Sequence, residues 1–157
     1  MNHSVHGFLV FGPLLAAIMA AAPGDDAQDD AIKKDRQRIA GTWRVVALEV
    51  DGNKSTEEDA RKFTVVNGSD GTWSLRSEDQ EINKGTTTID PTKKPKTIDM
   101  TLTDGEGKGD KFLGIYELGE TTRRLCIAAA GKDRPTEFSS PPGSEQILVS
   151  LEREKAK

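Results

Sequence analysis

The side chains best able to do chemistry lie in two acidic clusters and at one cysteine. In the first cluster, Asp104, Glu106 and Asp110 are spaced by lysine and glycine, a segment superficially similar to a calcium loop. Calcium needs several oxygen ligands at defined positions. Here Lys108 occupies the fifth position, and the required glycine and distal glutamate are out of place. We therefore expect a solvated turn rather than a metal site.

The second acidic cluster contains Asp51, Glu57, Glu58 and Asp59. General acid–base catalysis needs two carboxyl groups that face each other in a cleft. At helical spacing, these carboxylates instead favour the positive end of a helix dipole. The cluster therefore predicts the start of a short helix.

Nucleophilic and zinc chemistry also lack the residues they need. Cys126 is the single cysteine, and the two histidines, His3 and His6, fall in the N-terminal segment. Without a histidine to activate it, Cys126 is expected to be a small buried hydrophobic residue. The sequence contains neither a G-x-S-x-G motif nor a phosphate-binding loop. We expect a protein that is not an enzyme and has no cofactor.

The N-terminal segment has the pattern of a secretory signal peptide. An apolar run from Phe8 to Ala22 ends in small residues, and an acidic stretch follows at 23–30. This run is too short to span a bilayer, which takes about 20 residues. We predict a signal peptide at 1–22, an acidic linker at 23–30, and export to the periplasm or the exterior. The alternative is an uncleaved N-terminal anchor; no stable membrane span is expected after signal removal.

Charge patterning argues against one class of partner. The formal net charge is −4, with acidic and basic residues interspersed along the chain. Proteins that bind nucleic acid carry a basic patch or stripe. We therefore expect no nucleic-acid partner.

The segment at 97–103 sets the pattern for the rest of the chain. Ile98, Met100 and Leu102 alternate with threonine and aspartate there. Strict alternation predicts a strand with one face on a core. Similar runs predict strands at 42–50, 63–66, 72–76, 81–89, 97–103, 111–118, 123–129 and 146–152. Short helices are predicted at 31–39 and after Ser55, which has capping-box spacing to Glu58.

About eight strands joined by short connections predict an antiparallel, up-and-down arrangement. Eight such strands either close into a barrel or fold into a sandwich, and closure into a barrel removes the exposed sheet edges. The fold class is therefore expected to be all-β: a single up-and-down β-barrel with a short N-terminal helix and a second short helix after the first strand. The domain should cover 31–153, followed by a charged tail at 154–157.

Several sequence segments of the chain resemble those of one known family. Gly41-Thr42-Trp43 after a helix is similar to the G-x-W start of lipocalin-type barrels. The phrases DPTKKPKTIDMT, LGIYEL, LCIA and RPTEF resemble the uncharacterised lipocalin-like domain of planctomycetes, over most of residues 33–153. The resemblance implies an exported lipocalin-like barrel and no assigned activity.

The same resemblance suggests how one end of the barrel is closed. In lipocalin-type barrels the tryptophan of this motif packs across the closed end, and a basic residue near the last strand stacks on it. The corresponding residues are Trp43 and Arg153. We predict that Arg153 lies over the Trp43 ring.

The barrel interior is the remaining candidate site, and two functions stay open. The first is binding of a small apolar or amphipathic ligand. The residues expected to line that site are Ile82, Thr86, Ile98, Met100, Leu102, Phe112, Tyr116, Leu125 and Ile127. The second is a filled core in an envelope or protein-interaction module without a small ligand. A void of several hundred Å³ opening opposite Trp43 would favour the first, and an exposed apolar patch the second.

Overall fold

The computed structural model describes residues 24–155. The predicted signal segment at 1–22 lies outside the described residues. Within the described part there are two helices and nine strands. None of the helices in this range is long and apolar enough to cross a membrane.

The nine strands form one antiparallel sheet in which neighbours in sequence are mostly neighbours in space. Pairing of the first strand with the last closes eight of them into a barrel, and β2 pairs only with the end of β1. The predicted all-β, up-and-down barrel is therefore confirmed. The elements are α1 (Asp25–Ile39), β1 (Gly41–Val50), β2 (Asn53–Lys54), α2 (Glu57–Ala60), β3 (Phe63–Asn67), β4 (Thr72–Ser77), β5 (Gln80–Asp90), β6 (Lys96–Leu102), β7 (Lys111–Leu118), β8 (Thr122–Ile127) and β9 (Ile147–Arg153).

Helix α1 begins six residues before the expected start at Ala31. The prediction of a linker at 23–30 was therefore wrong from Asp25 onward. Asp25 and Asp26 lie in the first turn, and basic residues lie in the last. Both placements are favourable for the helix dipole, so the acidic stretch belongs to the helix.

Helix α2 is capped one residue later than predicted. The Thr56 hydroxyl accepts a hydrogen bond from the backbone N of Asp59 at 3.2 Å. Ser55 instead donates its backbone N–H to Leu48. Because Thr56 has the same three-residue spacing to an acidic residue, the sequence offered two adjacent caps.

The last strand reaches Arg153, and its contacts continue into the predicted tail at 154–157. The backbone N of Glu154 donates to the carbonyl of Thr42 at 2.9 Å, and its carboxylate pairs with Arg44. This residue therefore extends the contact between the two strands that close the barrel.

Strand β5 presents the opposite face from the one predicted. Gly85 lies opposite Leu102, and Ile89 lies opposite Ile98. Directly opposed residues share a face of the sheet, so the odd-numbered residues from Asn83 to Ile89 face inward. A register shift against β4 falls beside Ile82, which is 48% exposed. Ile82 and Thr86 therefore lie on the outside.

A long loop, 128–146, covers the outer face of β7 and β8. Ile115 and Cys126 point away from the barrel interior yet are buried, and the Cys126 thiol donates to the carbonyl of Ser139. The Arg124 guanidinium lies 4.5 Å from the Phe138 ring centroid. Phe138 therefore holds the loop to the body.

Gly85 permits a close approach that no other residue allows. A Cβ atom there would overlap the carbonyl oxygen of Thr101 and lie 3.0 Å from Cε2 of Trp73. We expect Gly85→Ala to lower the free energy of unfolding by about 1–3 kcal/mol, because backbone must move to make room. Urea unfolding followed by circular dichroism measures the change.

The matched control is Gly24→Ala, because nothing lies within 4 Å of a Cβ built at Gly24. Its effect should be about 0.5 kcal/mol, because Gly24 is the N-cap of α1 and alanine caps a helix less well than glycine. Equal effects from the two substitutions would contradict the crowding at Gly85.

Candidate functional site

The interior of the barrel is not filled by side chains. It contains a cavity of about 340 Å³ that is lined by residues from all eight barrel strands. This volume lies at the lower end of the range of about 300–1,000 Å³ found for small-molecule sites. The lining residues are Val45, Leu48, Val50, Phe63, Val65, Asn67, Trp73, Leu75, Asn83, Thr87, Met100, Leu102, Phe112, Arg123, Leu125, Ile127, Ile147, Val149 and Leu151.

The cavity meets solvent at the end of the barrel away from α1. Val50 lines the cavity and is 40% exposed. It lies opposite Ile147, which in turn lies opposite Ile127. These three residues mark the mouth, at the far end of β1 from Trp43.

Trp43 and Arg153 close the other end. The Arg153 guanidinium lies 4.4 Å from the Trp43 ring centroid, so the predicted stack is present. The indole Nε1 donates to the carbonyl of Ile39 at 2.8 Å. Arg153 also donates to the carbonyls of Arg38 and Ala40. The pair therefore joins the end of α1 to β1 and β9.

A buried carboxylate, Asp35, lies beside Trp43 and Arg153 at the closed end. Oδ2 of Asp35 is 2.8 Å from both the Lys96 ammonium and the Tyr116 hydroxyl. Its Oδ1 is 3.7 Å from Arg38. Burial and the hydrogen bond to Asp35 raise the pKa of Tyr116 well above its usual range. Tyr116 is therefore a neutral hydrogen-bond donor that helps α1 to dock on the barrel.

The structure brings together about half of the predicted lining residues. Met100, Leu102, Phe112, Leu125 and Ile127 line the cavity. Ile98 and Tyr116 are inside the barrel, but they pack in the core at the closed end. The prediction for Ile82 and Thr86 was wrong, because the inward face of β5 is set by its pairing with β6, and Ile89 rather than Ile82 shares that face.

Arg123 is the most consequential residue that the sequence prediction omitted. It is 3% exposed and lines the cavity. Burial lowers its pKa to about 10, so the side chain stays protonated at neutral pH. Arg123 lies two residues before Leu125 and four before Ile127 on β8. Their alternation therefore contained the signal that it faces inward.

The cavity has one polar end and one apolar end. Asn67, Thr87 and Arg123 lie in the half nearer α1. The half nearer the mouth is lined by apolar side chains, apart from Asn83 on β5. Such a cavity suits a ligand with a polar head and an apolar body.

The other surfaces of the described residues form less well-defined candidate binding sites. A groove of about 490 Å³ along the outside of β4 is lined mainly by polar, outward-facing residues such as Ser74, Glu81 and Lys84. Over residues 24–155, no cluster of three or more metal-ligating side chains is found. The cavity inside the barrel is the best-formed site in this range.

The fold and the cavity together define a small, closed antiparallel β-barrel with an internal site of ligand size. Comparison with known proteins finds no matching family model, no matching curated protein and no matching solved structure.

Proposed function

We propose that this protein is a non-catalytic, lipocalin-like binding protein that holds one small apolar or amphipathic ligand inside its barrel. The cavity carries this proposal: it has the volume of a ligand site, walls that are mainly apolar, and a mouth at one end. Burial of apolar ligand surface in such a cavity contributes roughly 0.8 kcal/mol per CH₂ group.

The alternative, an interaction module with a filled core, is less well supported. The interior holds a cavity instead of packed side chains. Among the described residues, the exposed large hydrophobic side chains are Val50, Val66 and Ile82. They lie at the mouth, on the outer face of β3 and beside the register shift in β5, so they form no single patch that would suit a protein partner.

Filling the cavity should weaken ligand binding. Met100→Trp places an indole in the cavity wall at β6. We expect the affinity for a neutral apolar fluorophore, N-phenylnaphthylamine, to fall about tenfold or more, because the added ring occupies the ligand volume. Fluorescence titration of the purified protein measures this affinity.

The control is Ile82→Trp, which adds the same ring on the outer surface. It should leave the affinity unchanged. Equal affinities for Met100→Trp and the parent protein would place the fluorophore outside the barrel and reject the proposed function.

We also propose that the protein is exported, on the strength of the apolar run at 8–22 and the small residues that end it. Mass spectrometry of the mature chain from an exporting host tests this. Retention of the full N-terminus would reject it.

A further inference from the structure

We propose that the ligand is an amphiphile with a carboxylate head, bound with its head at the closed end against Arg123 and Asn67 and its apolar chain directed towards the mouth. This inference rests on the proposed function, because it names the class of ligand that the barrel would hold.

Arg123 is the first observation that points to an anion. Its Nε and Nη1 atoms are buried and make no hydrogen bond to any described residue. A buried guanidinium without a partner is costly, because a charge removed from water needs a compensating partner. The fold therefore retains a charge that has no structural partner within residues 24–155.

The surrounding charges do not neutralise Arg123. Arg36 and Arg153 are both close enough to lower its pKa further, in addition to the effect of burial. Asp35 is the one buried carboxylate in the described part of the chain, and it already contacts Lys96, Tyr116 and Arg38. Among the described residues that line the cavity, Arg123 alone is charged.

Asn67 is the second, independent observation. Its side chain also lines the cavity, and its Nδ2 is buried without a hydrogen-bond acceptor among residues 24–155. Strand pairing places it in the same half of the cavity as Arg123: Asn67 lies opposite Gly41 at the start of β1, and Arg123 lies opposite Leu151 near the end of β9. Both unsatisfied donors therefore lie in the half of the cavity where a ligand head group would be bound.

The chemistry of these donors favours a carboxylate. A carboxylate accepts strong, charge-assisted hydrogen bonds from a guanidinium, here from Nε or Nη1 of Arg123. One cation balances a single negative charge. The apolar residues between Arg123 and the mouth, such as Leu125, Ile127 and Phe112, match a hydrocarbon chain. A head buried at the closed end and a chain towards the mouth satisfy both halves of the cavity.

The test compares decanoate, decanol and decyltrimethylammonium, which share one chain and differ in head-group charge. Displacement of N-phenylnaphthylamine gives each affinity. We expect decanoate to bind about tenfold or more tightly than decanol, and the cationic probe to bind weakest. Arg123→Met should lower the affinity for decanoate about ten- to hundredfold, the range expected for loss of hydrogen bonds to a charged group. The affinity of the same variant for decanol should change less than about threefold.

Two variants and one further measurement make the result specific. Arg124→Met makes the same substitution one residue along β8, on the outer face, and should leave decanoate binding unchanged. Asn67→Leu should weaken decanoate about fivefold. The ligand-free Arg123→Met protein should melt a few degrees higher, about 2–5 °C, because an unpaired buried charge is removed.

The outcomes separate this inference from the proposed function. If the fluorophore, decanol and decanoate all fail to bind, both proposals fail. If decanol binds as tightly as decanoate, only the carboxylate head is rejected. If Arg123→Met melts lower and weakens decanol and decanoate equally, Arg123 is a structural residue and the inference is overturned.

Discussion

Replacing Trp43 by alanine is expected to lower the free energy of unfolding by about 3–5 kcal/mol, the range for removing a buried aromatic side chain. Trp43 is 1% exposed and belongs to the core at the closed end. The substitution also removes the indole donor to Ile39 and the surface on which Arg153 stacks. Helix α1 would lose its main attachment to β1.

Urea unfolding followed by circular dichroism measures this loss. Because a domain of this size is stable by only about 5–15 kcal/mol, Trp43→Phe provides a milder variant. It retains most of the buried ring and loses the hydrogen bond to Ile39, so a cost of about 1–3 kcal/mol is expected. A double-mutant cycle between Trp43→Phe and Arg153→Met should show coupling of about 0.5–2 kcal/mol. Additive effects would mean that the stack contributes little.

Sequence patterns predicted the barrel because most strands alternate large apolar and polar residues. The prediction for β6 at 97–103 differs from the observed Lys96–Leu102 by one residue at each end. The inward face of β6 was equally clear, since Ile98, Met100 and Leu102 share one parity. Strong alternation leaves only one side of a strand that can face the core.

Strand β5 shows where such patterns stop being informative. Three consecutive threonines end at Thr88 and carry no preference for either face, and Ile82 is the one large apolar residue before Ile89. The correct face follows from pairing of Gly85 with Trp73 and Leu102, contacts that are distant in the chain. Such long-range pairing is not encoded in local alternation.

The candidate site was predicted in part for a related reason. The apolar half of the cavity follows from alternation, as Phe112 and Leu125 show. The polar half depends on Arg123 and Asn67, which composition alone assigns to the surface. Burial of Arg123 can be predicted only if its position in the inward-facing alternation of β8 is given more weight than its charge.

The closed end of the barrel concentrates positive charge. Arg36, Arg38 and Lys96 lie there with Arg123 and Arg153, and Asp35 is the buried carboxylate among them. Its oxygens contact Lys96, Tyr116 and Arg38 and leave Arg123 without a partner. Asp35 therefore stabilises the docking of α1 and does not pair with Arg123. This division predicts opposite effects on stability for the two side chains.

Asp35→Asn is accordingly expected to lower the free energy of unfolding by about 3 kcal/mol, the lower end of the range for breaking a buried ion pair. The Asp35 side chain is 5% exposed, whereas Lys96 is 33% exposed and can turn partly to solvent. The amide would lose the charge opposite Lys96 and would accept fewer hydrogen bonds. Urea unfolding measures the difference.

Asp59→Asn provides the matched control, because Asp59 makes an equally short pair with Lys62 on the surface, at 2.9 Å. Exposed pairs of this kind contribute little to stability, so this variant should unfold like the parent. A second variant, Asp35→Leu with Lys96→Met and Tyr116→Phe, removes both charges and the Tyr116 hydroxyl that donates to Asp35, and should recover much of the loss. If this triple variant were less stable than Asp35→Asn, loss of packing rather than an uncompensated charge would explain the effect, and the proposed division of roles at the closed end would be wrong.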